Sequence, residues 1–152
     1  MKPIHARLRR RRLTVAAAES CTGGLLAAVL TAHGGSSAHF MGGAVVYSNE
    51  AKTIYAGVAP DLIHGHGAVS PVVAGALARG ARLRLGAKIG LGITGIAGPG
   101  GATPGKPVGL TYVAVESEAY SAVKKHEWPY DREGNRLASV GAALDLLEKA
   151  IA

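Results

Sequence analysis

The sequence predicts an α/β fold in which a largely parallel sheet is covered by helices on both faces. Two observations lead there. Short apolar runs of strand character, at 13–18, 43–48 and 88–95, alternate with segments of helical period, the order that builds parallel strands joined by crossovers. The composition, 48% hydrophobic with 22 glycines, suits helices packed closely on a sheet better than a disordered chain. At 152 residues the chain is expected to form one domain, 1–152 with its core at about 13–150, large enough to need neither disulfide nor metal.

Residues 3–11 read as a short helix, and Leu13 to Ala18 as a buried strand ending in a turn at Ser20. Thr22 is the expected N-cap of a small-residue helix over 23–33, which Gly34-Gly35-Ser36-Ser37 ends. Gly43 to Ser48 is the next strand, after which Asn49 caps a helix carrying Glu50, Lys52 and Tyr55. Pro60-Asp61 opens a helical turn, and Ser70-Pro71 has the cap-then-proline order of a longer helix that Gly86 stops. The strand at 88–95 runs into an irregular loop from Gly98 to Pro107. Val108 to Glu116 and Ser121 to Trp128 alternate as an antiparallel pair, followed by a last helix over 133–150. In such a sheet ligands gather beyond the strand C-termini, where Ser20, the Tyr47–Lys52 segment and Thr94-Gly95 all fall.

No segment reaches the roughly 20 apolar residues of a membrane span, and the N-terminus lacks the apolar stretch of a signal peptide, so a cytoplasmic protein with no membrane partner is expected. The single cysteine, Cys21, excludes an internal disulfide and fits a reducing compartment. The net charge of +7 is partly local, since four of the seventeen basic residues form the run Arg9 to Arg12. With few aromatic side chains for stacking, the pattern argues against nucleic acid as the main ligand.

The candidate chemistry is acyl transfer. A serine hydroxyl needs a base beside it and donors for the oxyanion. Ser20 on a sharp strand exit, with Gly23-Gly24 allowing a tight turn into a helix whose first N–H groups face developing negative charge, meets the second need. Lys52 is the candidate base, provided burial strips its proton, and the Tyr47 hydroxyl could relay a proton or orient it. Taken singly, each has a plainer reading: a serine cap, a solvated lysine, a half-buried tyrosine. Cys21 is the rival nucleophile, although no histidine is placed against it by sequence. His64-Gly65-His66 lacks the further ligands of a metal site. Gly100 to Lys106 approaches a phosphate-binding loop, but Pro107 replaces the magnesium-binding hydroxyl, which excludes an ATPase.

Five segments, Ala18-Glu19-Ser20-Cys21-Thr22-Gly23-Gly24, Tyr47-Ser48-Asn49-Glu50-Ala51-Lys52, His66-Gly67-Ala68-Val69-Ser70, Ile93-Thr94-Gly95-Ile96-Ala97-Gly98-Pro99 and Lys106-Pro107-Val108-Gly109, in this order, closely resemble the CinA C-terminal domain family. The resemblance implies a three-layer α/β/α sandwich with a mixed, mostly parallel sheet. It implies a nicotinamide-nucleotide amidohydrolase in stand-alone form, acting without cofactor or metal in the pyridine nucleotide cycle. Ser20 would be the nucleophile, Lys52 the general base and Tyr47 a supporting hydroxyl. Thr22, Gly23, Asn49, Thr94 and Gly95 would meet the substrate. Arg132, in Asp131-Arg132, would meet its phosphate, and Arg136, one helical turn on, is a second candidate because Tyr130 stands where the family has glycine. The alternative is a non-catalytic pyridine-nucleotide-binding module tied to competence or DNA damage. The short N-terminus leads to the further expectation that a sheet face is left uncovered and that a second copy fills it, giving a homodimer or larger homo-oligomer.

Overall fold

The computed structural model describes all 152 residues, Met1–Ala152. Its elements in chain order are α1 (Lys2–Arg11), β1 (Val15–Glu19), α2 (Leu25–Leu30), β2 (Phe40–Val45), α3 (Asn49–Ala56), α4 (Pro60–His66), α5 (Pro71–Arg84), β3 (Ile89–Gly95), β4 (Leu110–Ser117), β5 (Ser121–Glu127) and α6 (Arg132–Ala150). The five strands form one sheet in the order β2-β1-β3-β4-β5. β1 pairs parallel with both β2 and β3, whereas β4 runs antiparallel between β3 and β5, so β4 alone is reversed.

Strand pleating divides the core in two. In β1, Val15 and Ala17 join a cluster with Ile4 and Leu8 of α1, Leu26 and Leu30 of α2, and Leu146 and Leu147 of α6. Ala16 and Ala18 face the other way, into a cluster with Ala56 of α3, Ile63 of α4 and Val73 and Leu77 of α5. The result is the expected helix–sheet–helix sandwich. α5 lies directly on β3 because that strand is bare where they touch: a Cβ on Gly90 would stand 1.9 Å from Ala78 O, and one on Gly92 2.4 Å from Ala74 O.

The structure departs from the sequence reading in three elements. β2 runs from Phe40 to Val45, three residues earlier than the predicted 43–48, because Phe40 enters the ladder opposite Val15 and the chain leaves it at Val46. α2 is only Leu25–Leu30, its continuation replaced by turns and a short 3-10 segment at Ser36–Ala38. α3 is capped by Ser48, whose Oγ accepts from Ala51 N–H at 3.0 Å, so Asn49 is the first helical residue and not the cap. Ser70 caps α5 as predicted, accepting from Val73 N–H. The N-terminus does cover the sheet, since Ile4 and Leu8 are buried. The bare part is the outer strand β2, where Met41 and Val45 are each 49% exposed.

Candidate active site

Pleat parity brings the predicted residues together. Ser20 follows Ala16 and Ala18 in alternation, and Thr94 follows Gly90 and Gly92, so both project toward the α3–α5 side. There a cleft of about 260 Å³ is lined by Ser20, Cys21, Tyr47, Asn49, Lys52, Thr94, Gly95 and Arg132, together with Ala68, Val69 and the loop from Ile96 to Gly101. A larger groove of about 630 Å³ between α3 and α4 shares only Asn49 and Ala68 with it and contains neither Ser20 nor Lys52.

Lys52 is the anomaly of the site. α3 turns Ile54 and Tyr55 to solvent, 63% and 62% exposed, while Lys52 is 1% exposed. An amphipathic helix ordinarily does the reverse. Its Nζ donates to Tyr47 O at 3.2 Å and Ser48 O at 3.4 Å, and no carboxylate pairs with it. Burial pushes its pKa below the ordinary lysine value, against weaker opposing pulls from Cys21 and Glu50. Ser20 is 7% exposed, with its N–H bonded to Ile93 O at 3.0 Å and its hydroxyl free of any protein partner. Burial pushes the Cys21 thiol up to about 11, which removes it as a thiolate nucleophile at neutral pH.

The other predicted residues divide. The Thr94 hydroxyl donates to Ala68 O at 2.7 Å, tying β3 to the segment before α5 and leaving the Thr94 oxygen as an acceptor. Arg132 donates to Gly98 O at 2.7 Å and to the Tyr47 hydroxyl at 3.1 Å, bridging two walls of the cleft. Tyr47 thus offers its hydroxyl to Arg132 and its carbonyl to Lys52, and is 60% exposed. Thr22 is fully buried and outside the cleft, its hydroxyl donating to Glu19 Oε1 at 2.7 Å. It does not cap α2. Glu19 does that from behind, accepting Leu26 N–H at 2.8 Å and Ala27 N–H at 3.0 Å. Those helical N–H groups are therefore taken and cannot serve an oxyanion.

Gly23 also lies off the cleft, beneath the Arg136 guanidinium. Arg136 donates to Thr22 O at 3.0 Å and, with Arg132, Tyr130 and Asp131, lines an adjoining hollow of about 800 Å³. Asn135 was missed: fully buried, it donates to Ala97 O at 3.0 Å and accepts from Tyr130 N–H, pinning the Ile96–Gly101 loop to α6. Its signal was available, since an asparagine four residues before Ser139 shares the inward face of a helix. No group of three histidine, cysteine or carboxylate side chains stands in ligating geometry, and no helix is long and apolar enough to cross a membrane.

A family model for the CinA C-terminal domain matches residues 1–151. The chain belongs to that family. A CinA-like protein of Koribacter versatilis is 52% identical over 144 residues, 95% of this chain and 35% of the relative. The chain thus spans about a third of the length of the curated relatives it matches. Among solved structures, the competence/damage inducible protein CihA from Agrobacterium tumefaciens superposes with a TM-score of 0.94 at 39% identity, covering 99% of this chain and 92% of that one. A CinA superfamily protein from Enterobacter cloacae gives 0.94 at 28% identity, covering 99% and 89%. The buried lysine and the free serine hydroxyl therefore sit in a CinA fold.

Proposed function

We propose that this CinA domain is an amidohydrolase converting nicotinamide mononucleotide to nicotinic acid mononucleotide and ammonia through a Ser20 acyl-enzyme. The observation that carries the reading is a lysine buried to 1% exposure on the same cleft as an unpartnered serine hydroxyl. Burial lowers the cost of holding Lys52 neutral, the state in which an amine can take a proton. Lys52 Nζ accepts the Ser20 proton as Oγ attacks the carboxamide carbon, and the carbonyl oxygen takes the charge. The N–H of Cys21, directly after the nucleophile, donates to no other residue and is a backbone donor open to that oxyanion. The tetrahedral carbon then expels its nitrogen, which receives the proton from Lys52 and departs as ammonia. Water attacks the ester with Lys52 again as base, releasing the carboxylate and restoring the Ser20 hydroxyl.

Arg132 supplies the charge for the nucleotide phosphate. Two of its guanidinium nitrogens are held by Gly98 O and the Tyr47 hydroxyl, which fixes the planar fork at the mouth of the cleft. Arg136 faces the same hollow one turn on. The test is ammonia release from nicotinamide mononucleotide. Ser20→Ala and Lys52→Ala should each lower the rate by at least about a thousandfold with the fold intact, and substantial turnover by either overturns the assignment. The names of the relatives speak of competence and damage and state no enzymatic activity, which leaves a second reading, a binding module without chemistry. That reading requires the wild-type chain to bind the nucleotide and release no ammonia.

A further inference from the structure

Glu19 has no part in the reaction just outlined, yet it is the only charged residue of β1 and is 2% exposed, with no lysine or arginine paired to it. All the hydrogen bonds to its carboxylate come from the eight residues that follow. Oε1 accepts the Thr22 hydroxyl at 2.7 Å and Leu26 N–H at 2.8 Å, and Oε2 accepts Ala27 N–H at 3.0 Å. From outside the turn, Arg136 Nη2 donates to Thr22 O at 3.0 Å. Thr22 is therefore gripped at its hydroxyl and at its carbonyl, two residues beyond Ser20. Ser20 itself is anchored by its backbone, its N–H on Ile93 O and its carbonyl receiving Gly23 N–H at 3.1 Å. Within this clamp, the Ser20 hydroxyl and the N–H groups of Cys21 and Thr22 donate to nothing in the protein.

We infer that Glu19 is a positioning residue for the nucleophile: by holding Thr22 and occupying the Leu26 and Ala27 N–H groups of α2, it sets the turn so that the Ser20 hydroxyl and the N–H groups that follow it stay available to the substrate. The inference rests on the amidohydrolase reading and adds to it. Pleat parity explains the division of labour. Adjacent residues at the end of β1 point to opposite faces, so Glu19 acts from the α2 side on a turn that presents Ser20 to the α3 side.

The experiment is steady-state ammonia release from nicotinamide mononucleotide by the wild type, Ser20→Ala, Glu19→Gln, Thr22→Val and Thr22→Ser, each checked by thermal unfolding. Glu19→Gln keeps the side-chain shape but turns one acceptor into a donor facing other donors. Thr22→Val keeps the volume and deletes the hydroxyl. In both, kcat should fall about tenfold to a hundredfold while KM stays within about twofold, because a displaced nucleophile costs rate and not binding. Thr22→Ser should recover most of what Thr22→Val loses. Should Glu19→Gln not fold, the Thr22 pair decides. Wild-type kcat in a folded Glu19→Gln, or, where that variant does not fold, wild-type kcat in Thr22→Val, or a loss confined to KM, overturns the role of Glu19. Ammonia lost in Ser20→Ala but kept in Glu19→Gln removes that role alone, whereas a wild type that releases none removes the amidohydrolase reading and this role with it.

Discussion

Lys52 makes a prediction that can be read without any structural probe. Its pKa is held down by burial and pulled back up by the Glu50 carboxylate on the same helix turn. If neutral Lys52 is the base, kcat/KM rises with pH along a limb whose midpoint lies below the ordinary lysine value of about 10.4. Glu50→Gln removes one of the upward pulls, so the limb should move to lower pH. Glu50 is exposed and lies outside the cleft, so its loss leaves the fold and the reacting groups in place. A limb that moves up, or does not move, shows that the titrating group is not Lys52. The residue types at the site were legible because acyl transfer demands them: a serine on a strand exit and a lysine one turn into the next helix. The burial of Lys52 was not, since nothing local says that α3 turns its ammonium inward and its isoleucine and tyrosine outward. Glu19 was legible and overlooked. A carboxylate closing the run Val15-Ala16-Ala17-Ala18 cannot be solvated inside a sheet and must find donors, and the N-terminus of a six-residue helix offers them.

At the level of elements, the strands and helices followed from hydrophobic period and from punctuation by serine, proline and glycine, and the misplaced ones show where that signal fails. In β2, Phe40-Met41-Gly42-Gly43-Ala44-Val45 belongs to an outer strand, so its residues alternate between partly buried and exposed with none fully buried, and its glycines mask the alternation that would mark its start. The segment from α2 to β2 also holds a contact that no periodicity announces. His39, entering β2, meets His5 of α1, with His5 Nδ1 and His39 Nε2 2.5 Å apart, and His33 packs edge-on against His5 at 5.0 Å between ring centroids. Burial lowers the pKa of both His5 and His39, helped at His5 by His39, His33 and the N-terminal amine, and at His39 by Arg9. In the window between the lowered folded values and the unfolded value of about 6.5, the unfolded chain binds more protons, so stability rises with pH there and is lost as pH falls. The thermal midpoint should therefore drop between about pH 7 and about pH 5, and drop less in a variant carrying both His5→Gln and His39→Gln. Equal slopes in the two proteins would mean that the contact does not tie α1 to β2 in this way.

For the whole molecule, the open question set by the sheet is its two edges. β5 carries Lys124, Lys125 and Glu127, charges that discourage another strand from pairing there. β2 carries none. Its sequence is wholly apolar, two of its six residues are glycine, and Met41 and Val45 are each half exposed. An uncharged, glycine-bearing edge with exposed apolar side chains is what a monomer ordinarily avoids, and a second copy of the same edge is the complement that needs no other partner. The self-association expected from the sequence should therefore run through β2, since α1 closes its own part of the sheet with Ile4 and Leu8. Light scattering at micromolar concentration should give a mass of at least two 15.4 kDa chains. Val45→Lys, which places a charge on the edge without touching Ser20 or Lys52, should shift the mass toward one chain. A wild-type mass of one chain rejects the association, and an unchanged oligomer in Val45→Lys moves the interface away from β2.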